Sequence, residues 1–145
     1  QMITLQEIHM EQFWDVIDLS VRPEQAEFCT PNAVSIAQSK VQSECIPLAI
    51  YDGETPVGFL MYCVDRDDGE WWIYRLMVDA RFQGRGCGTA ALALVLERMR
   101  ADATRSRVFL GVHRQAAAAV ALYERAGFRF TGQVFGAEHI MRLDW

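Results

Sequence analysis

Gln83-Gly84-Arg85-Gly86-Cys87-Gly88-Thr89 lies between a β-rich run, Trp71 to Val78, and a segment whose Leu92, Val95, Leu96 and Met99 recur at i, i+3, i+4 and i+7. Apolar residues at that spacing form one face of a helix, so the heptapeptide joins a strand to a helix beginning near Gly88. The first turn of a helix carries N–H groups without intrahelical partners and the positive end of the helix dipole, and glycines let that backbone approach a phosphate closely. The stretch therefore predicts an anion-binding loop. Two familiar nucleotide loops fit it poorly. A P-loop requires Lys immediately before its Ser or Thr, whereas Gly88 stands before Thr89. A dinucleotide fingerprint counted from Gly84 requires Gly or Ala where Thr89 stands, and it follows the first strand of a parallel unit. A tight turn without a ligand is the bland alternative, and it must bear the conformational cost of three alternating glycines.

Upstream of the loop, Met2 to Ile8 alternates as a strand does, and Glu11 to Leu19 carries Phe13, Val16 and Ile17 at helical spacing. Pro23 and Pro31 bracket a short acidic stretch, after which Asn32 is placed to cap a helix running through Val34, Ile36 and Ala37 toward Glu44. Ile46 to Tyr51 and Val57 to Asp65 are strands around Asp52-Gly53-Glu54, a hairpin signal, and Asp67-Asp68-Gly69 makes a second turn into Trp71 to Val78. Three consecutive strands predict an antiparallel meander. Downstream, Arg107 to Val112 is a strand, Ala116 to Ala126 a helix closed by Gly127, and Phe128 to Val134 and His139 to Leu143 are final strands. The order β α α β β β α β α β β, without internal repeat or linker, predicts one α/β domain over residues 1–145 with helices on the faces of a mixed sheet.

Composition narrows the function classes. A chain of 145 residues suits one core, and 51% hydrophobic with 23% charged residues is globular composition, which excludes disorder, collagen-like repeats and coiled coil. With 14 basic and 19 acidic residues the net charge is -5, so cationic partners fit the overall field and a nucleic-acid partner is not expected. Unbroken apolar runs such as Ala90 to Leu96 are far short of the roughly 18 to 20 residues that span a bilayer. The N-terminal stretch lacks the basic, apolar, small-residue order of a secretory leader. A cytoplasmic protein without a membrane partner is the expectation. Cys29, Cys45, Cys63 and Cys87 form no C-x-x-C pair and have no His at ligand spacing, which predicts free thiols and no metal.

Gln83-x-x-Gly86-x-Gly88, following a strand that ends in Met77-Val78-Asp79, resembles the pyrophosphate loop of the GNAT acetyltransferase superfamily, written there as Gln/Arg-x-x-Gly-x-Gly/Ala. Downstream, Leu122-Tyr123-Glu124-Arg125-Ala126-Gly127-Phe128 is similar to the Leu-Tyr-x-x-x-Gly-Phe of these enzymes, and the element order agrees over essentially the full chain. The resemblance implies a mostly antiparallel central sheet with one splayed parallel pair and helices on both faces. It also implies an acetyl-CoA site. Backbone amides of Gln83, Gly84, Arg85, Gly86, Cys87, Gly88 and Thr89 would hold the pyrophosphate, and the strand edge at Leu76, Met77 and Val78 would pair with the pantetheine arm. Tyr123 matches the family tyrosine that protonates the departing thiolate, and its bland alternative is a packed tyrosine with its hydroxyl in water. Two positions depart from the family pattern: Ala116 stands where many members have Asn, and Tyr74 where some have a glutamate base. Glu27, Glu70 through water, and Tyr74 are the candidate bases, and Arg75 reads as an ion-pair partner.

The acceptor pocket of this fold is lined by the first helices and the central strands, where the chain is acidic and aromatic. Glu24, Glu27, Phe28 and Glu44, with Asp65, Asp67, Asp68 and Glu70, suit a polycation, and Trp71, Trp72 and Tyr74 offer cation–π faces. Solvated acidic turns and core tryptophans are the bland alternative. The stretch from Val21-Arg22-Pro23-Glu24-Gln25 to Ser35-Ile36-Ala37, together with Tyr74-Arg75-Leu76-Met77-Val78, resembles the bacterial spermine/spermidine acetyltransferase branch. That resemblance implies a polyamine acceptor with Glu24, Glu27 and Tyr74 as substrate contacts, and it allows a homodimer. Other amines, namely a protein N-terminus, an aminoglycoside or an amino acid, remain open, as does a non-catalytic acetyl-CoA-binding module.

Overall fold

A computed structural model describes residues 1–145. Its elements are β1 (Ile3–Glu7), α1 (Met10–Asp18), a 3₁₀ turn (Pro23–Phe28), α2 (Asn32–Val41), β2 (Ile46–Asp52), β3 (Thr55–Val64), β4 (Trp71–Val78), a short 3₁₀ turn (Ala80–Phe82), α3 (Cys87–Arg100), β5 (Arg107–Val112), α4 (Ala117–Arg125), β6 (Arg129–Phe135) and β7 (Glu138–Asp144). The strands form one seven-stranded sheet in the order β1-β2-β3-β4-β5-β7-β6. Every neighbouring pair is antiparallel except β4 and β5. Those two are joined by α3, the kind of crossover that parallel neighbours require. The mixed sheet and the meander β2-β3-β4 are as the sequence predicts.

Helices cover both faces. On one side Leu92, Val95, Leu96 and Met99 of α3 and Tyr123 of α4 pack with Leu60, Tyr62, Ile73, Val108 and Leu110. On the other, Val16 of α1 and Ile36 of α2 pack with Phe59, Met61 and Met77. Burial on both faces explains why β3 reads as a continuous apolar run rather than an alternating one.

Three local readings change in the structure. Asn32 does not cap α2; Pro31 occupies that position. The Asn32 side chain is instead buried, and its Nδ2 donates to the Val16 carbonyl at 3.0 Å, tying α2 to α1. The helix also ends at Val41, short of Glu44. Arg75 is bonded to neutral acceptors rather than to a carboxylate: Ser35 Oγ, Gln38 Oε1 and the Tyr74 carbonyl.

The β3–β4 register slips between Met61, opposite Arg75, and Tyr62, opposite Ile73. Tyr74 is therefore a bulged residue, and the bulge turns both Tyr74 and Arg75 toward α2. The parallel pairing of β4 with β5 covers only Trp71–Val108, Trp72–Phe109 and Ile73–Leu110. At the bulge the two strands part, and β4 continues to Val78 with its β5-side edge unpaired.

Candidate active site

The open edge of β4 can be resolved residue by residue. Asp79 N–H donates to the Val57 carbonyl at 2.8 Å, which makes Gly58 and Val78 a non-hydrogen-bonded pair. By the antiparallel alternation, Met77 turns its N–H and C=O to Phe59 of β3, while Leu76 and Val78 turn theirs into the gap toward β5. Of the three strand residues named from the sequence, Leu76 and Val78 thus turn backbone groups to the open edge, where the Val78 carbonyl accepts from Gln83 Nε2 and its N–H stays open. Met77 does not; its side chain is buried under α1 and α2. Gly58 allows this close pairing, since a Cβ there would collide with the Met77 carbonyl oxygen.

The glycine loop begins where that edge ends. Gln83 Nε2 donates to the Val78 carbonyl and to Gln25 Oε1, both at 2.9 Å, folding the loop back on β4 and on the Pro23–Phe28 turn. Gly84 and Gly86 have φ of +76° and +84°, the left-handed region that L side chains avoid. Gly88 is different: its φ is ordinary and a Cβ there would meet Leu122 and Val78 side chains at 3.6 Å, normal contact distance. Gly86 is the N-cap of α3 and supplies no side chain, and the first intrahelical bond runs from Ala90 N–H to the Gly86 carbonyl. The N–H groups of Cys87, Gly88 and Thr89 thus lack intrahelical acceptors at the positive end of a 14-residue helix. Arg85 is exposed beside Phe82, its Cζ 5.8 Å from the ring centroid. Cys87 is buried, and burial, reinforced by Asp52, pushes its thiol up, so its backbone rather than its sulfur is what the loop offers.

Asp79 anchors the loop from below. Its Oδ2 accepts from Ser20 N–H, and its Oδ1 accepts from both the N–H and the Nε of Arg81. Burial pushes this carboxyl up, but the Arg81 and Ser20 bonds outweigh it and hold Asp79 below the usual carboxylate range.

The second sequence motif folds for a clear reason. Gly127, at φ +105°, ends α4, and the Gly127 and Phe128 N–H groups return to the Glu124 and Tyr123 carbonyls in a Schellman closure. Phe128 then packs edge-on against Tyr123, with centroids 5.7 Å apart. Tyr123 is 7% exposed. Its Oη is not among the enclosed unpaired atoms and bonds no protein group, so it opens onto solvent-accessible space. Burial, followed by the charges of Cys29 and Glu138, raises its pKa, and the hydroxyl keeps its proton at neutral pH. Ala116 is the N-cap of α4 and makes no side-chain cap bond, so the Asn of other family members would stand at a capping position.

Two cavities open where β4 and β5 part. One, of about 260 Å³, is lined by Gln42, Trp72, Tyr74, Arg75, Gly111 and Glu138 among others. The other, of about 380 Å³, is lined by Glu27, Cys29, Arg75, His113, Phe135 and Glu138 among others. Glu27 therefore reaches the site, whereas Glu24 is exposed on the 3₁₀ turn and lines neither cavity. Tyr74 lines the smaller one, with its hydroxyl donating to Asp65 Oδ2 at 2.6 Å and accepting from Gln42. Burial and the Asp65 bond raise the Tyr74 pKa, so its hydroxyl stands as a donor to Asp65. Three of the acidic residues already have partners: Asp68 with the Trp72 indole, Glu44 near Arg66, Glu70 near Arg107. Trp71 packs on the core side against Tyr62. Glu138, Phe135 and His113 were not singled out by the sequence reading, because only the pairing of β7 with β5 and β6 brings them to this gap.

The acetyltransferase (GNAT) family model matches residues 6–128, from β1 through the Phe128 that closes α4. The chain belongs to the GNAT family. It is 28% identical over 133 residues to the spermine/spermidine N(1)-acetyltransferase of Bacillus subtilis strain 168, covering 87% of this chain and 88% of that one. Spermidine N-acetyltransferase from Vibrio cholerae, solved with CoA and spermine, shares the GNAT fold at a TM-score of 0.75 and 14% identity, covering 98% of this chain and 95% of that one. Aminoglycoside acetyltransferase AAC(6')-Ib in complex with coenzyme A shares it at a TM-score of 0.79 and 19% identity, covering 99% and 95%. As a GNAT member the chain is an acetyl-CoA-dependent N-acetyltransferase. No helix is long and apolar enough to cross a membrane, and no group of His, Cys, Asp and Glu is arranged to hold a metal.

Proposed function

We propose that residues 1–145 act as one catalytic domain that moves an acetyl group from acetyl-CoA to a primary amine, with a polyamine such as spermidine or spermine as acceptor. What carries the reading is the open edge of β4, where the Leu76 groups and the Val78 N–H face away from β3 and run directly into the glycine loop. From Tyr74 to Val78 is about 13 Å at 3.3 Å per residue. An extended pantetheine arm fits along that edge, with its pyrophosphate at the Gln83–Thr89 amides and its thioester at the cavities. Attack by the amine on the thioester carbonyl places charge on the oxygen, which a free strand N–H stabilises, and Tyr123 donates a proton to the leaving sulfur.

The polyamine acceptor is supported by the curated Bacillus relative and by the carboxylates of Glu27 and Glu138 at the larger cavity. The four free cysteines support a cytoplasmic setting. Arg75, bonded only to neutral groups at both cavities, favours a second reading, an amine that also carries a carboxylate, such as an amino acid.

Thiol release from acetyl-CoA across a panel of polyamines, monoamines, aminoglycosides and amino acids separates these. For a polyamine the KM rises with ionic strength, since screening weakens each charge pair, and Glu27→Gln raises that KM without changing that of acetyl-CoA. Polyamines no better than monoamines, with KM indifferent to salt, would overturn the polyamine acceptor and leave acetyl transfer standing.

A further inference from the structure

An amine acceptor arrives protonated: with a pKa of about 10.4, roughly four parts in ten thousand are neutral at pH 7. Some group must take its proton, and the bases named from the sequence are poorly placed. Tyr74 is tied to Asp65 and holds its own proton. Glu70 lies 3.4 Å from Arg107 and lines neither cavity. Glu27, on the 3₁₀ turn, reaches only the larger cavity.

Glu138 stands elsewhere. It opens β7, one residue before His139, which pairs with Val112 at the end of β5. Its side chain lies back over Gly111: a Cβ built on that glycine would sit 3.1 Å from the Glu138 Cδ and 3.2 Å from its Oε1. Gly111 directly follows Leu110, the last residue of β5 that pairs with β4. The missing side chain at Gly111 thus lets a carboxylate rest at the point where the two strands separate. Glu138 is also the one carboxylate that lines both cavities.

We infer that Glu138 is the general base of the acetyl transfer, receiving the proton of the acceptor ammonium at the fork between β4 and β5. This inference rests on the acetyl-transfer reading and is independent of which amine is the acceptor. The Glu138 carboxylate takes one proton from the ammonium, freeing the nitrogen lone pair. The nitrogen attacks the thioester carbon, the C–N bond forms and the carbonyl π pair moves to oxygen. Collapse restores C=O and breaks C–S. The sulfur leaves with the bonding pair and takes the Tyr123 proton, and the surplus proton on nitrogen returns to Tyr123. One proton remains on Glu138, whose exposed side chain releases it to water. The charged or titratable groups around it are Tyr74 and Arg75 from β4, Glu27 and Cys29 from the segment before α2, His113 after β5 and Tyr123 from α4.

The test compares wild type, Glu138→Gln and Glu138→Asp on the best ammonium acceptor from the amine panel and on trifluoroethylamine, which is already neutral at pH 7. Glu138→Gln lowers kcat/KM for the ammonium acceptor about a hundredfold and spares trifluoroethylamine, and Glu138→Asp recovers part of the loss. Between about pH 6 and 9 the Gln variant gains close to tenfold in kcat/KM per pH unit, following the free amine, while wild type stays nearly level. An unchanged melting shift with acetyl-CoA shows that the variants are folded. Turnover of the Gln variant within about threefold of wild type, or an equal loss on both amines, would overturn Glu138 as base while leaving acetyl transfer intact. A wild-type protein that releases thiol with no amine overturns acetyl transfer itself, and the base with it.

Discussion

Replacing glycines of the loop one at a time separates backbone demand from ligand binding. Gly86 has φ +84° and its nearest neighbour to a new Cβ is 3.7 Å away, so the cost of a side chain there is conformational rather than a clash. Forcing an L residue into that region costs about 1–2 kcal/mol, with a β-branched residue at the upper end. That corresponds to roughly 2–8 °C in melting temperature for a chain of this size. The same side chain would stand at the N-cap of α3, where the Cys87–Thr89 amides are open. Gly86→Val therefore also loses the stabilisation by acetyl-CoA, which at a hundredfold excess over Kd is worth about 2.7 kcal/mol. Gly88→Ala is the matched control. Its φ is ordinary and its Cβ meets Leu122 and Val78 at normal distance. Within a helix Ala is favoured over Gly by up to about 1 kcal/mol, so this variant melts no lower than wild type and keeps its acetyl-CoA shift. Differential scanning fluorimetry with and without acetyl-CoA reads both quantities at once. A full ligand shift in Gly86→Val, or a drop in Gly88→Ala as large as in Gly86→Val, would refute the reasoning.

Two further outcomes follow from the site. Tyr123→Phe removes a hydroxyl that bonds nothing in the chain, so stability and acetyl-CoA affinity hold while kcat falls on the order of a hundredfold; equal turnover would reduce Tyr123 to a packing residue. The Asp79 carboxyl is held below its ordinary value of 3.8, so its share of the stability is present above that pH and is lost as pH falls through the depressed folded value. Acid titration of Asp79→Asn, followed by fluorescence, is expected to show a flatter decline below about pH 4 than wild type, and superimposable curves would contradict that.

Sequence reasoning was strongest where a feature is local. Helical spacing in α3, the Asp52-Gly53-Glu54 hairpin and the Gly127 closure each depend on residues a few positions apart, and each element stands where its pattern placed it. Reading failed where the partner is distant in sequence. Asn32 has the chemistry of a cap, but the Val16 carbonyl, 16 residues earlier, is its actual partner. Arg75 resembles an ion-pair residue until the bulge at Tyr74 directs it to Ser35 and Gln38. Glu138 carried no signal at all, since its position over Gly111 depends on the register between β5 and β7.

The brief pairing of β4 with β5 also has a mechanical side. Strands β1 to β4 form one ribbon, and β5, β7 and β6 another, and only three residue pairs stitch the two along the sheet. Each ribbon is internally laced by longer antiparallel ladders, so the seam is the shortest ladder in the sheet. A pantetheine arm bonded along Leu76 and Val78 would act as a short eighth strand across that seam. The co-substrate would then serve as a removable rivet, and each round of turnover would leave the two ribbons alternately fastened and loosened.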